Sequence, residues 1–174
     1  MLRRLLRFFI RPPADPAIEA LYRACVMQAR QADFYAALHV PDTVDGRFDV
    51  LILHVLLVMH RLDGDAKQQL FDLLFADMDR NLREMGVSDI RIAKKMKPLF
   101  AAFYGRARAY EQAFAATDEA LADALRRNMY GATVKDEDVR GITTYARRAH
   151  QSLEGQNEDA IRKGLIVFPT IMEE

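Results

Sequence analysis

The stretch VLILHVLLVM at residues 50–59 is apolar on nearly every side of a helix, and His54 is its one polar side chain. A helix with this pattern in a soluble protein is a central helix surrounded by others. The alternative is that it forms one wall of a hydrophobic groove. The run is too short to cross a bilayer, which takes roughly 20 apolar residues.

Helical periodicity continues on both sides of this stretch. The chain has 8 glycines and 6 prolines, too few for the turn clusters that separate short strands. We expect helices over residues 16–38, 43–62, 63–86, 88–114, 118–130 and 136–153, then a short helical stretch and an extended segment at 164–169. Pro98 predicts a kink or break near Lys97. The predicted fold is all-α, an irregular bundle of six to seven helices in one domain over 15–174.

Charge and cysteine content exclude several classes of protein. Lysine plus arginine and aspartate plus glutamate both number 25, so the chain lacks the positive field of a DNA-binding protein. The single cysteine, Cys25, excludes an internal disulfide and a thiolate zinc site. It lies on the apolar side of the first helix, where a buried, inert thiol is expected.

The N-terminal segment, residues 1–14, begins with the basic amphipathic sequence MLRRLLRFFIR. One interpretation is an anchor in the interface of an anionic membrane. The alternative is a helix docked on its own domain. The residues expected to touch a membrane are Arg3, Arg4, Leu5, Leu6, Arg7, Phe9 and Arg11.

The sequence offers few residues for catalysis or metal binding. A di-iron bundle needs Glu-x-x-His steps, and none of the four histidines has a glutamate three residues before it. His54 and His60 point about 120° apart on one helix. We therefore expect no enzyme, no metal ligand and no cofactor, and we interpret His54 as a hydrogen-bonded core or groove residue in preference to a haem ligand.

Charges on two helices are distributed unevenly. Asp65, Asp72 and Asp79 are spaced seven apart on the side opposite the apolar stripe, and Asp79 can pair with Arg83 one turn later. The next helix carries a basic face, which is either solvated or a docking surface for an anionic partner such as ribosomal RNA or lipid headgroups. Its members are Arg91, Lys94, Lys95, Lys97, Arg106 and Arg108.

Three ordered blocks give the sequence a family resemblance. They read PDTVDGRFDVLILH at 41–54, LFDLLFADMDRNLREMGV at 70–87 and AFYGRARAY at 102–110. They resemble the ubiquinol–cytochrome c chaperone family over residues 20–130, and the chain is similar to its shorter bacterial members. The resemblance implies an all-helical, non-enzymatic chaperone for newly synthesised cytochrome b, cytoplasmic or peripheral on the inner face of the inner membrane. It also implies a small co-chaperone or a ribosome contact.

The alternative functions are a generic helical interaction module and a haem- or metal-binding helical protein. The residues expected to bind a partner are Arg47, Leu53, His54, Leu57, Asp72, Asp79, Arg80, Arg83, Tyr104 and Arg106.

Overall fold

The computed structural model of the protein describes residues 14–130 and 134–172. Within those ranges the secondary structure is helical and contains no strand. The predicted all-α fold is confirmed. The membrane-contact residues predicted between Arg3 and Arg11 lie outside the described ranges.

The helices follow one another through short connections. Helix α5 is the longest, and α6 continues into a π-helical turn at Arg126–Tyr130. The bounds are α1 Pro16–Ala29, α2 Asp33–Ala36, α3 Val44–His60, α4 Gly64–Glu84, α5 Asp89–Phe114, α6 Asp118–Leu125, α7 Asp136–Gly155 and α8 Glu158–Arg162.

Side-chain caps fix where several helices begin. Asp15 accepts a hydrogen bond from the Ala17 amide at 2.9 Å at the start of α1. Thr43 Oγ1 accepts one from the Gly46 amide at 3.1 Å at the start of α3. Such caps satisfy amide donors that have no partner inside the helix, and both starts agree with the sequence prediction.

Helix α3 lies at the centre of the bundle, packed by α1, α4, α7 and the π-helical turn. The side chains of Val50, Ile52, Leu53, Val55 and Val58 are completely buried. This burial on all sides confirms the first interpretation of residues 50–59, a central helix, and not the groove wall.

The predicted helix over 16–38 is wrong, because α1 ends at Ala29. The Tyr35 hydroxyl donates a 2.6 Å hydrogen bond to the Ala29 carbonyl and satisfies the exposed end of the helix. Phe34 is completely buried, in ring contact with His54 and Tyr145 at 5.3 and 4.9 Å. A turn at residues 30–32 therefore places Phe34 in the core, which a continuing helix would not do.

Two other helix predictions also need correction. The break expected near Lys97 does not form, since α5 runs through Pro98. Pro98 is exposed, so its ring faces water, and the helix tolerates the missing amide donor. The α-helix predicted to Tyr130 ends at Leu125, where the Asn128 side chain donates to the Ala124 carbonyl at 2.8 Å within the π-helical turn.

The chain after α8 returns across α1. Gly164 has φ +81°, and a Cβ there would lie 2.7 Å from the Ala17 carbonyl oxygen. Only glycine permits this close approach of the two backbones. Across the described ranges, no helix has both the length and the apolar character of a membrane span.

Candidate partner-binding surface

A hydrogen-bonded network at His54 joins three helices and the C-terminal segment. His54 Nδ1 lies 2.8 Å from the Val50 carbonyl, which can only accept, so Nδ1 donates. His54 Nε2 then accepts from the Tyr145 hydroxyl at 2.6 Å, and Gln28 Nε2 donates to that hydroxyl at 3.0 Å. Gln28 also reaches the Pro169 carbonyl at 3.3 Å. Burial lowers the pKa of His54 to about 4, so the ring is neutral at physiological pH.

Three residues predicted to bind a partner lie in or beside this network. His54 is completely buried, and so are its neighbours Leu53 and Leu57. A partner would reach them only if the core opened, because α3 is covered on all sides. In this structure the three side chains belong to the core, and the interpretation of His54 as a hydrogen-bonded core or groove residue agrees with its burial.

Asp49 and Arg106 form a second buried link, between α3 and α5. Arg106 lies 2.6 Å from Asp49, and both side chains are largely buried. Burial raises the pKa of Asp49 to about 6, while the Arg106 charge acts in the opposite direction. Arg106 also donates to the Asn128 carbonyl at 3.3 Å. Arg106 therefore does not belong to the exposed basic face on which the sequence analysis placed it. Its side chain is held by Asp49 and Asn128 and is not available at the surface as the expected partner contact would require.

The carboxylates of α4 differ in exposure. Asp72, which the spacing placed opposite the apolar stripe, is buried and accepts a hydrogen bond from Gln68 Nε2 at 2.8 Å. Asp79 pairs with Arg83 Nε at 2.7 Å, as the spacing predicted. Arg83 bridges onward to Asp89 at the start of α5.

Two further expected contact residues are exposed arginines held by local pairs. Arg80 pairs with Asp77, which also accepts a 2.9 Å hydrogen bond from the Tyr22 hydroxyl of α1. Arg47 pairs with Asp42 at 2.6 Å and lies over the Tyr35 ring. These charges are ordered at the surface and remain candidates for partner binding.

An aromatic strip runs from the core to the surface between α4 and α5. We define it as Phe71, Phe75, Phe100, Phe103 and Tyr104. Phe75 stands 4.2 Å from Phe100, and Phe71 stands 5.1 Å from Phe103 and 5.7 Å from Tyr104, measured between ring centroids. Phe75 and Phe103 are buried, Phe71 and Phe100 are half-buried, and Tyr104 is 62% exposed.

Sequence reasoning did not identify the aromatic strip as a surface feature. Tyr104 was predicted as a contact residue, whereas Phe71 and Phe100 fit the apolar periodicity of their helices, which is typical of core positions. Periodicity shows which side of a helix packs inward and gives no measure of how completely its partner covers it. The exposed apolar residues Met85, at the end of α4, and Ile90, in the first turn of α5, flank the connection between the same two helices.

A histidine cluster joins the ends of α3 and α7. His60 Nε2 and His150 Nε2 lie 3.7 and 3.8 Å from Glu154 Oε1. The sequence prediction of no metal ligand rested on the missing Glu-x-x-His steps and on the angle between His54 and His60 within one helix. The His-x-x-x-Glu step at 150–154 was visible in the sequence, but nothing in the sequence indicated that His60 packs beside it.

Comparison with known proteins gives one family. Residues 36–168 match the family model described as Ubiquinol-cytochrome C chaperone. The chain is 24% identical over 161 residues to "Ubiquinol-cytochrome c reductase complex assembly factor 1" of Mus musculus, a match over 88% of this chain and 55% of the relative. It is 30% identical over 129 residues to "Protein CBP3, mitochondrial" of Saccharomyces cerevisiae, over 69% of this chain and 38% of the relative.

A solved structure shows the same fold. The crystal structure of the Cbp3 homolog from Brucella abortus matches with a TM-score of 0.81 at 32% identity, over 98% of this chain and 95% of that one. The chain spans about half the length of the mouse relative. The match to the bacterial structure therefore covers nearly the whole of both chains, whereas the mammalian match covers a part of the relative.

Proposed function

The chain belongs to the ubiquinol-cytochrome c chaperone family, and on that premise we propose that it is an assembly chaperone of the ubiquinol-cytochrome c reductase complex. It holds newly synthesised cytochrome b and catalyses no reaction. The observation that carries this proposal is the family match over residues 36–168. The bacterial neighbour, which shares the fold over nearly its whole length, supports it.

The aromatic strip suits an apolar client. A membrane subunit that has not yet assembled exposes apolar helices to water, and a binding surface for it must replace that water with apolar contacts. Tyr104, Phe71 and Phe100 supply such contacts, and their rings are supported from below by contacts with the buried Phe75 and Phe103. Aromatic side chains dominate binding energy at protein interfaces.

Ordered charges on α4 supply the polar rim that such a surface needs. Asp79, Arg80 and Arg83 are already paired with neighbours, so they lose little conformational freedom when a partner binds. Arg47 belongs to a separate exposed group with Asp42 and Tyr35. We assign these four residues to the contact set together with Tyr104, and we leave out the buried Leu53, His54, Leu57, Asp72 and Arg106.

A complementation experiment tests the function and the surface together. Deletion of the gene lowers assembled ubiquinol-cytochrome c reductase and spectroscopic cytochrome b, while other respiratory enzymes stay at normal levels. Tyr104→Asp fails to restore assembly, because a carboxylate at the aromatic strip must be desolvated by an apolar client. Met27→Asp is the matched control, since Met27 is 68% exposed and lies on α1, which carries none of the strip residues.

The outcomes separate the two claims. Normal cytochrome b in the deletion strain contradicts the chaperone function. If deletion abolishes assembly but Tyr104→Asp restores it as fully as Met27→Asp does, the function stands and the aromatic strip is not the client surface. Thermal melting of both purified variants establishes that neither result arises from unfolding.

Membrane attachment is a further part of the proposal. Residues 1–11 carry four arginines beside leucines and phenylalanines, and each basic group near an anionic membrane contributes about 1 kcal/mol. Attachment of this strength is weak and sensitive to salt. Flotation with anionic liposomes therefore falls when residues 1–11 are removed or when salt is raised, and flotation unaffected by both changes contradicts the anchor.

The exposed basic face of α5 supports a contact with an anionic partner. Arg91, Lys94, Lys95 and Lys97 lie within two turns and are all exposed. We assign this face to the ribosome or co-chaperone contact. Replacing the four residues with glutamine removes ribosomal material or a small subunit from the protein purified from cells, and unchanged co-purification contradicts the assignment.

A chaperone that catalyses no reaction needs no haem of its own. This expectation has a separate test. Purified protein free of client shows no intense visible absorption band on this proposal. A stoichiometric haem band would favour the alternative, a haem-binding helical protein.

A further inference from the structure

His60, His150 and Glu154 bring three metal-ligating groups to one point at the surface. Their ligand atoms all lie within 4.8 Å of one another. His150 and Glu154 are separated by one helical turn of α7, so their side chains extend from the same face. His60 is the last residue of α3 and approaches from the neighbouring helix, with its ring centroid 5.1 Å from that of His150.

The two helices that carry these groups are fixed to each other beside the cluster. Arg61 donates hydrogen bonds to the Glu154 and Gln156 carbonyls at 2.6 and 3.3 Å, which ties the end of α3 to the end of α7. The His150 ring is half-buried and stacks on Phe114 at 4.7 Å with an angle of 11° between the planes. The positions of His60, His150 and Glu154 are thus supported by Arg61 and Phe114, which are not members of the cluster.

We propose that His60, His150 and Glu154 form a binding site for a divalent transition metal of the zinc class, which joins α3 to α7. Two imidazole nitrogens and one carboxylate oxygen are a ligand set that zinc uses with water in the remaining position. His60 and Glu154 are 55% and 51% exposed, so solvent reaches that position. The site is independent of the proposed chaperone function.

Small side-chain movements close the cluster around an ion. Zinc binds imidazole nitrogen at about 2.0–2.1 Å, so the two nitrogens and the carboxylate oxygen need to approach one another modestly from their positions in the structure. The exposed side chains of His60 and Glu154 can make that movement without disturbing the core. His150, whose ring is held by Phe114, serves as the fixed ligand.

Two arginine side chains, Arg147 and Arg61, lie near the cluster. Arg147 donates to Asp118 at 2.8 Å and Arg61 to two carbonyls, so both nearby cations are engaged by acceptors of their own.

Titration of the tag-free full chain with zinc chloride tests the site, by calorimetry and by visible absorption with cobalt as a substitute. The wild-type protein binds one equivalent, and zinc raises its melting temperature because the folded state binds the ion. His60→Ala and Glu154→Gln each weaken binding by roughly tenfold or more, since a ligand contributes at least as much as an outer partner. Both side chains are exposed, so these variants fold.

His39→Ala is the matched control. The chain has four histidines; His54 is completely buried, and the exposed His39 pairs with Asp138 at 2.8 Å elsewhere on the surface. The control binds zinc as the wild type does and keeps the increase in melting temperature. The proposal is overturned if the wild type fails to bind zinc, if binding survives in both His60→Ala and Glu154→Gln, or if His39→Ala loses as much affinity as they do.

Discussion

Replacing His54 with glutamine should change how the stability of the protein depends on pH. Burial lowers the pKa of His54 from 6.5 to about 4. The hydrogen bond to the Val50 carbonyl favours the charged ring and acts in the opposite direction, but burial has the larger effect. As pH falls below 6.5, the unfolded chain gains a proton that the folded protein does not accept until about pH 4. The stability that the neutral ring provides is therefore complete above pH 6.5 and is lost as pH falls toward 4.

The size of this effect follows from the two pKa values. Between pH 7 and pH 5, the wild-type protein loses about 2 kcal/mol of unfolding free energy through His54 alone. Glutamine does not titrate, so the His54→Gln variant lacks this loss. The difference in unfolding free energy between wild type and His54→Gln should therefore shrink by about 2 kcal/mol as pH falls from 7 to 5.

Urea denaturation followed by far-ultraviolet circular dichroism at pH 5, 6 and 7 measures the effect. The comparison must be made between the two proteins, because Asp49 acts in the opposite direction. Burial raises the pKa of Asp49 to about 6, so its contribution to stability falls as pH rises through the range from 4 to 6. Asp49 is present in both proteins and cancels. A difference in stability that stays constant from pH 7 to pH 5 would refute the buried, neutral state of His54.

Three other substitutions have expected outcomes that thermal or urea denaturation checks. Gly164→Ala should destabilise the fold by at least about 1–2 kcal/mol, because φ is +81° and the new Cβ meets the Ala17 carbonyl; an unchanged midpoint would show that the C-terminal segment does not pack on α1. Asp49→Asn should cost roughly 3 kcal/mol near neutral pH by leaving Arg106 without its partner charge, and more at pH 5, because the wild type gains stability as Asp49 takes up a proton below its pKa of about 6 whereas asparagine does not titrate. Asp79→Ala removes a pair at the surface worth roughly 0.3–0.5 kcal/mol, so its melting temperature should barely fall, and unfolding would show a buried structural carboxylate.

The sequence was sufficient to predict helices that begin at strong caps and follow a clear apolar period. Helix α3 begins at Thr43 and α4 ends before Gly86, which has φ +77°, as expected. Both features are local, because a cap and a left-handed glycine depend on a few adjacent residues. The family resemblance was carried by the same region and agrees with the match over residues 36–168.

The errors arose where distant residues decide the structure. Helix α1 ends at Ala29 because Tyr35 caps it and because Phe34 packs against His54 and Tyr145, and these contacts cannot be inferred from periodicity. Asp72 was placed opposite the apolar stripe by its seven-residue spacing, yet it is buried. A helical wheel gives the direction of a side chain from its axis, while burial depends on which neighbour lies in that direction.

The same distinction determines how the chaperone function should be tested. Polar substitutions of Leu53, His54 or Leu57 would remove core packing and the hydrogen bond to Tyr145, so loss of complex assembly in such variants would report unfolding. Tyr104 is different, because it is exposed while its ring rests on buried aromatic neighbours. A charge at Tyr104 can therefore reduce client binding at little cost to folding. A variant that keeps its melting temperature and loses assembly separates recognition of the client from stability of the chaperone, which no substitution in α3 can do.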